Sequence, residues 1–306
     1  MGIIDSPQDI QNSLLQWFST NGRYWIPWKL KKDGSLPQLG ESISPYGIWI
    51  AEVMLQQTQL KVVIPYWEKW MKVFPSLTAL AEADLENILM IWQGLGYYSR
   101  ANRIHQSSKI LTKFVGNNRD QDPYLWPHEI DQWMSLPGIG RSTAGSIISS
   151  AFDLPTPILD GNVKRILSRL LATERKSIKD EKKLWEFSSL LISNISPRNF
   201  NQALMDLGAN ICTPKKPSCS SCPLQKFCVA YADYDPNNLP KKEMTKIKSI
   251  QEIGIGLVFN EIGELLIDQR LESSSMGGMW EFPGGKKNSD ESIEKTIERE
   301  LKEELG

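Results

Sequence analysis

"LPGIGRSTAGS", residues 136 to 146, joins two helical stretches, and its reading decides what kind of helical protein this is. Upstream, "EIDQWMSL" (129–136) carries apolar residues at helical spacing; downstream, "RSTAGSIISSAF" (141–152) does the same. Pro137, Gly138 and Gly140 fall between them. Glycine has no Cβ, so the backbone can turn sharply there and approach a ligand closely. The N–H groups that open the second helix point outward at the positive end of its dipole, which suits a phosphate. The segment is therefore either a backbone grip for phosphate or an ordinary turn between two helices.

Outward from this turn the helical spacing continues. "SPYGIWIAEVMLQQTQL" (44–60), "TALAEADLENILMIWQGL" (78–95), "NVKRILSRLLA" (162–172) and "DEKKLWEFSSLLISNI" (180–195) each carry an apolar stripe, so residues 8 to about 232 read as helical. Ser44-Pro45 supplies an N-cap and a first-turn proline. "KLKKDGSLPQLGES" (29–42) reads as a polar loop. With 306 residues the chain is long enough for two domains. Apolar content of 41% and charged content of 23% are globular values. No apolar run reaches the roughly 18 residues that a membrane span requires. The N-terminus lacks the pattern of a signal peptide, so a cytoplasmic location is expected, nucleoid-associated in a bacterium. The net charge is −1: residues 281–306 hold eight acidic and five basic residues, leaving +2 on the rest. That balance neither requires nor excludes nucleic acid, so any DNA-binding face must be local.

All four cysteines lie in "CTPKKPSCSSCPLQKFC" (212–228). In a reducing compartment such clustering argues for metal rather than disulfides. Cys212, Cys219, Cys222 and Cys228 follow C-x6-C-x2-C-x5-C, with one short-spaced pair where a zinc site usually has two. A [4Fe–4S] cube needs four thiolates and can be wrapped by one such loop, so spacing leaves iron–sulfur and zinc both open. Lys215, Lys216 and Lys226 either face a phosphate backbone or keep the loop soluble.

Two carboxylates occupy unusual places. Glu52 shares a helical face with Ile48, Ala51 and Leu55. There it is either a desolvated acid, protonated near neutral pH, or a glutamate reaching water at the edge of the stripe. Asp160 follows an apolar run and precedes the helix of Val163, Ile166, Leu167 and Leu170, the place of an N-cap. Capping would hold that carboxylate rigidly and leave one oxygen for chemistry.

Together, the glycine hairpin, the downstream Asp160 and the cysteine spacing resemble the helix–hairpin–helix DNA glycosylases with an iron–sulfur loop. "EVMLQQTQ", "GLGYYSRA", "LPGIGRSTAG", "ILDGNVKR" and "FNQALMDLGANIC" are similar to the MutY-type adenine DNA glycosylases, over about residues 10 to 232. The resemblance implies one [4Fe–4S] cluster on the four cysteines and a monomer acting on double-stranded DNA at adenine mispaired with 8-oxoguanine or guanine. It implies that Glu52 protonates the adenine ring, that Asp160 stabilises the cationic sugar, and that Asn162 orients Asp160 or the water. Trp28 and Gln202 match adenine-pocket positions, Trp28 despite the long loop that follows it. Leu55, Gln57 and Tyr97 match residues that wedge into the base stack. Endonuclease III shares the fold but carries a lysine nucleophile where this chain has Ser142, and serine cannot form a Schiff base. A largely monofunctional glycosylase is therefore expected, with Lys164 near Asp160 as the candidate for trapping some product. Some relatives place a tyrosine at Ser142 that supports the aspartate.

"DYDPNNLPKKEMTKIKS" (233–249) reads as a linker. Beyond it, "IGIGLVFNEIGELLIDQR" (253–270) reads as two strands around an Asn-Glu-Ile-Gly turn, and "SIEKTIERELKEELG" (292–306) as a charged helix. From Gly285 to Gly306 the residues fit the Nudix box, with Glu300, Glu303 and Glu304 on one helix face as candidate Mg2+ ligands. In MutY-type proteins a related domain reads 8-oxoguanine. The expected architecture is mainly α: a two-lobed glycosylase domain over 1–232, a linker over 233–249, and the first part of an α+β Nudix-like domain over 250–306. Three alternatives are a bifunctional endonuclease III-like glycosylase/lyase, a non-catalytic DNA-binding module, and a Nudix hydrolase with an appended DNA-binding domain.

Overall fold

The computed structural model describes residues 7–173, 178–240, 250–271, 274 and 277–306, so positions 241–249 of the expected linker lie outside the described residues. The chain divides into two compact units, the first of residues 1–96 and 100–243 and the second of residues 244–306, with which 97–99 are grouped. In the first unit the helices are α1 (Pro7–Asn21), α2 (Pro45–Met54), α3 (Leu60–Val73), α4 (Leu77–Glu82), α5 (Leu85–Trp92) and α6 (Ser99–Val115), then α7 (Ile130–Met134), α8 (Arg141–Phe152), α9 (Gly161–Leu170), α10 (Ile178–Leu191), α11 (Pro197–Asn210) and α12 (Val229–Asp233).

The apolar stripes explain how they pack. Helix α1 buries Ile10, Leu14 and Phe18, spaced four apart on one face. They join Val163, Ile166 and Leu170 of α9, Leu184, Phe187 and Leu191 of α10, and Phe200, Leu204 and Leu207 of α11 in one core. Cys212, Cys222 and Cys228 pack against its edge. Helix α2 is buried almost all round and packs on α8, with Trp49 and Ile50 fully enclosed. Trp70 of α3 and Trp92 of α5 meet edge to face nearby, their centroids 5.7 Å apart. Each such side chain stabilises the fold by about 2–3 kcal/mol through burial.

Two helical expectations need correction. The stretch 44–60 is not one helix: α2 starts at Pro45 behind the Ser44 cap but stops at Met54, and Gln57 sits at φ +60° before α3 begins. The carbonyls of Val53 and Met54 accept hydrogen bonds from the Arg100 guanidinium, which ends the helix without help from apolar pattern. The stretch 78–95 is likewise split into α4 and α5 where Ala83 and Asp84 turn extended (ψ 148° and 141°).

The loop at 29–42 is polar, as expected, yet held down. Arg198 donates to the carbonyls of Gln38 and Glu41 on the loop and of Ser150 and Ala151 on α8. Asp153 accepts from the N–H groups of Gly40 and Arg198.

The second unit contains β1 (Ile253–Ile255), β2 (Asp268–Gln269), β3 (Trp280–Glu281), β4 (Gly284–Lys286) and α13 (Ile293–Leu305). The expected pair of strands over 253–270 is a correction of detail. A hairpin closes around Asn260–Gly263, but only as a bridge between Phe259 and Leu265. Strand β1 pairs instead with β4, antiparallel, and β2 pairs with β3.

Candidate active site and iron–sulfur loop

Glu52, in the last turn of α2, faces a small cavity lined also by Trp28, Lys29, Ile48, Arg198, Gln202 and Met205. Trp28 and Gln202 are almost fully buried, and the Trp28 ring is tilted against Trp67 at 5.6 Å. Burial pushes the Glu52 carboxyl up to about 7, the Ser146 hydroxyl opposes this by donating to Oε1 at 2.8 Å, and the charge of Asp160 adds to the rise. Ser146 lies on α8, one turn beyond the glycine hairpin. The cavity measures about 20 Å3, room for roughly one water molecule. A purine enters only if its walls move.

Asp160 is the N-cap of α9: its Oδ1 accepts the Val163 N–H at 2.8 Å. Its Oδ2 receives the Asn162 amide at a long 3.5 Å. Asn162 Oδ1 in turn accepts from Arg165, whose guanidinium also donates to the carbonyls of Gly208 and Cys212 at 2.7 Å each. Gly208 permits this crossing, since a Cβ there would stand 2.7 Å from the Asn162 Cβ. Ser142 supports the same region through the backbone, accepting the Leu159 N–H at 2.9 Å, one residue before Asp160. Lys164, beside Asp160 in sequence, is paired with Glu181 at 2.5 Å.

Gly138 takes φ +80°, and a Cβ there would meet Arg103 Cδ at 2.8 Å. Gly140 is the N-cap of α8 and has no side chain to occupy the first N–H groups, so they stay available. Gln57 and Tyr97 are exposed non-glycine residues at positive φ, +60° and +49°. Leu55 is half-buried at the C-cap of α2.

The loop 211–236 walls a cavity of about 30 Å3 with all four cysteines and Arg169. Burial pushes the Cys222 thiol up to about 12 and raises Cys219 and Cys228 as well, with the neighbouring sulfurs adding to each rise. Four converging thiolates would repel in so dry a place, so they need shared positive charge. Arg169, almost fully buried, supplies one: its Nη1 is 3.2 Å from Cys212 Sγ, and it donates to the carbonyls of Thr213 and Leu239. Among the described residues no three Cys, His, Asp or Glu side chains are placed to hold a metal ion. Four sulfurs spread around one cavity suit a group with four metal corners better than a lone zinc.

Sequence reasoning missed several of these residues. Arg165 and Arg169 were legible only as charges in "NVKRILSRL", although an arginine four residues on, in the apolar stripe, is a signal of a buried role. Nothing local marks Ser146. Asp206, fully buried, accepts from the backbone N–H and guanidinium of Arg23 and lies 3.6 Å from Lys29 Nζ. Burial lowers the Lys29 ammonium to about 8, and its Nζ has no hydrogen bond.

In the second unit, Glu300 and Glu303 pair with Arg299, and Glu304 accepts the Gly284 N–H at 3.2 Å. Arg299 also pairs with Glu291.

Residues 50–189 match the HhH-GPD superfamily of base excision DNA repair proteins, 212–228 the iron–sulfur binding domain of endonuclease III, and 254–306 the NUDIX domain. The adenine DNA glycosylase of Buchnera aphidicola subsp. Schizaphis graminum is 38% identical over 290 residues, 93% of this chain and 76% of that protein. The chain belongs to the adenine DNA glycosylases. The human adenine DNA glycosylase is 31% identical, over 97% of this chain and 61% of its own length. Among solved structures, a thermostable thymine-DNA glycosylase superposes with a TM-score of 0.62 at 23% identity, covering 74% of this chain and 96% of its own. An endonuclease III–DNA complex reaches 0.55 at 21%, covering 74% and 97%. These two establish the fold as helix–hairpin–helix. Cys212, Cys219, Cys222 and Cys228 hold one [4Fe–4S] cluster.

Proposed function

We propose that this chain removes adenine mispaired with 8-oxoguanine or with guanine in double-stranded DNA, acting as a monomer. As a family member it is a base-excision repair glycosylase that hydrolyses the N-glycosidic bond of adenine. The observation that carries the reading of the residues is Glu52: a carboxyl lifted to about 7, facing the cavity of Trp28 and Gln202, and within reach of the charge of Asp160.

A base inside a duplex is hidden, so the nucleotide must leave the stack. Gly138, Gly140 and the uncapped start of α8 hold a backbone phosphate, while Leu55, Gln57 and Tyr97 fill the gap in the stack. The adenine enters between Trp28 and Gln202. Glu52, half-protonated at neutral pH, gives its proton to the ring and makes it a leaving group. Asp160, fixed by its cap, faces the developing positive sugar; one carboxyl acid and one carboxylate thus divide the work as in glycoside hydrolysis. Asn162 steadies Asp160. The cluster, when bound, supplies a rigid cross-link of the loop at 212–228. Lys164 is engaged in an ion pair with Glu181 and Ser142 lacks an amine, so neither supports efficient strand cleavage. The Nudix-like unit contributes recognition of the base opposite.

The test is base release from a duplex with one adenine opposite 8-oxoguanine, comparing the wild type with Glu52→Gln, with and without alkali. Strand breaks that appear only after alkali and vanish in the variant support the proposal. Breaks without alkali favour a bifunctional enzyme, and full activity in the variant removes Glu52 from the chemistry.

A further inference from the structure

Arg100, at the start of α6, is nearly fully buried and has no part in the chemistry above. Its guanidinium reaches two separate turns. Nη1 donates to the carbonyls of Val53 (3.1 Å), Met54 (2.8 Å) and Gln56; Nη2 donates to Thr58 Oγ1 (3.1 Å) and to the carbonyls of Leu95 and Gly96 (3.2 Å each). Its plane lies over Trp92, 5.1 Å from the ring centroid. Nη1 therefore holds the end of α2 and the turn after it, which carries the exposed Gln57. Nη2 bridges from Thr58 of that turn to Leu95 and Gly96, in the turn at 93–97 that carries the exposed Tyr97. Both residues sit at positive φ, a strained backbone that persists only where the surroundings enforce it. The first turn is tied onward to the glycine hairpin, since Gln56 Nε2 reaches the Gly138 carbonyl at 3.4 Å.

We propose that Arg100 is the positioning residue that fixes the separation of these two turns, so that Gln57 and Tyr97 enter the duplex as one rigid tool. The inference rests on the reading of Gln57 and Tyr97 as the groups that fill the base stack. Arginine suits both turns: a planar fork with five donors spans the two at once, whereas the lysine ammonium is a point charge that reaches one and can replace it only in part. Because Arg100 also caps α2, which carries Glu52, an effect through the acid must be told apart from an effect through the turns.

Arg100→Met and Arg100→Lys, in the full chain with its cluster, separate the two. Adenine excision is measured in single turnover on two duplexes, one with adenine opposite 8-oxoguanine and one with adenine opposite an abasic-site analogue. The second has no partner to unpair, so it needs less help in leaving the stack. A 2-aminopurine beside the target adenine reports unstacking by its fluorescence. For Arg100→Met we expect the paired duplex to lose on the order of 30-fold more than the unpaired one, the scale of a few kcal/mol for unstacking. The fluorescence rise should be lost, the pH–rate profile unmoved, and Arg100→Lys should recover part of the loss. Gln57→Ala/Tyr97→Ala should show the same substrate dependence, and adding Arg100→Met to it should cost little more. Equal losses on both duplexes, or a shifted pH profile, would overturn the proposal and make Arg100 a support of α2. A Gln57→Ala/Tyr97→Ala variant with no preference between the duplexes would instead sink the wedge reading itself. The visible absorbance of the cluster checks that each variant is folded; if Arg100→Met fails that check, Arg100→Lys carries the comparison.

Discussion

Ser146→Ala isolates what tunes the acid. The hydroxyl of Ser146 donates to Glu52 Oε1 at 2.8 Å and stabilises the ionised carboxylate, working against burial. A hydrogen bond to a charged group is worth about 1.5–3 kcal/mol, and one pKa unit corresponds to about 1.4 kcal/mol. Removing it should therefore raise the Glu52 pKa by about one to two units above its present value of about 7. A general acid must be protonated to act, so the rate of the wild type falls as pH rises through about 7. In the variant that limb moves to higher pH, while the rate on the acid side stays within about threefold, because the protonated acid is unchanged. The assay is single-turnover excision of adenine opposite 8-oxoguanine, run from about pH 5 to about pH 9. A limb that stays in place, or moves down, would refute both the role of Glu52 and the tuning role of Ser146.

Glu52→Gln should abolish that limb and lower the rate by about 10²–10⁴-fold. The same substitution should stabilise the fold at high pH: the folded pKa of Glu52 lies above its ordinary 4.5, so its contribution is present below 4.5 and lost as pH rises through about 7. Urea unfolding should show the variant more resistant by up to about 3 kcal/mol at pH 8, with little difference at pH 5. Asp206→Asn leaves the buried Lys29 and the part-buried Arg23 without their carboxylate and should destabilise by about 3 kcal/mol in the same assay. Cys222→Ser should abolish the visible absorbance of the cluster and, through the Arg165 bonds to Cys212 and Asn162, slow excision more than DNA binding. Gly138→Ala meets both a left-handed backbone and Arg103; it should weaken DNA binding by roughly tenfold, read as Kd by titration at fixed salt.

Much of this architecture is written in short-range pattern. The helices at 141–152 and 161–170 stand within a residue of their apolar stripes, and Ser44-Pro45 marks the start of α2. What pattern missed is where a helix stops because a distant cation takes its carbonyls, as Arg100 does at Val53 and Met54. The site followed the same division. Asp160 was legible as a cap, and the four cysteines by their spacing. For Glu52 periodicity allowed either burial or escape to water; the packing of α2 on α8 leaves it part-buried, with its carboxyl bonded to Ser146 and desolvated enough to raise its pKa. Arg165, Ser146 and Arg198 act through partners 43 to 160 residues away, a separation that no window of sequence reports.

The cavity at Glu52, with room for one water, has a kinetic meaning. An enzyme whose acid waits in an open pocket would hold free adenine as readily as a flipped nucleotide and would be clogged by its own product. Here entry requires the walls to part, and a released base lacks the tethered strand that drives them open. On the proposed reading, selection then resides in the gate as much as in the pocket: a stacked base must be drawn out and the walls displaced in one concerted climb.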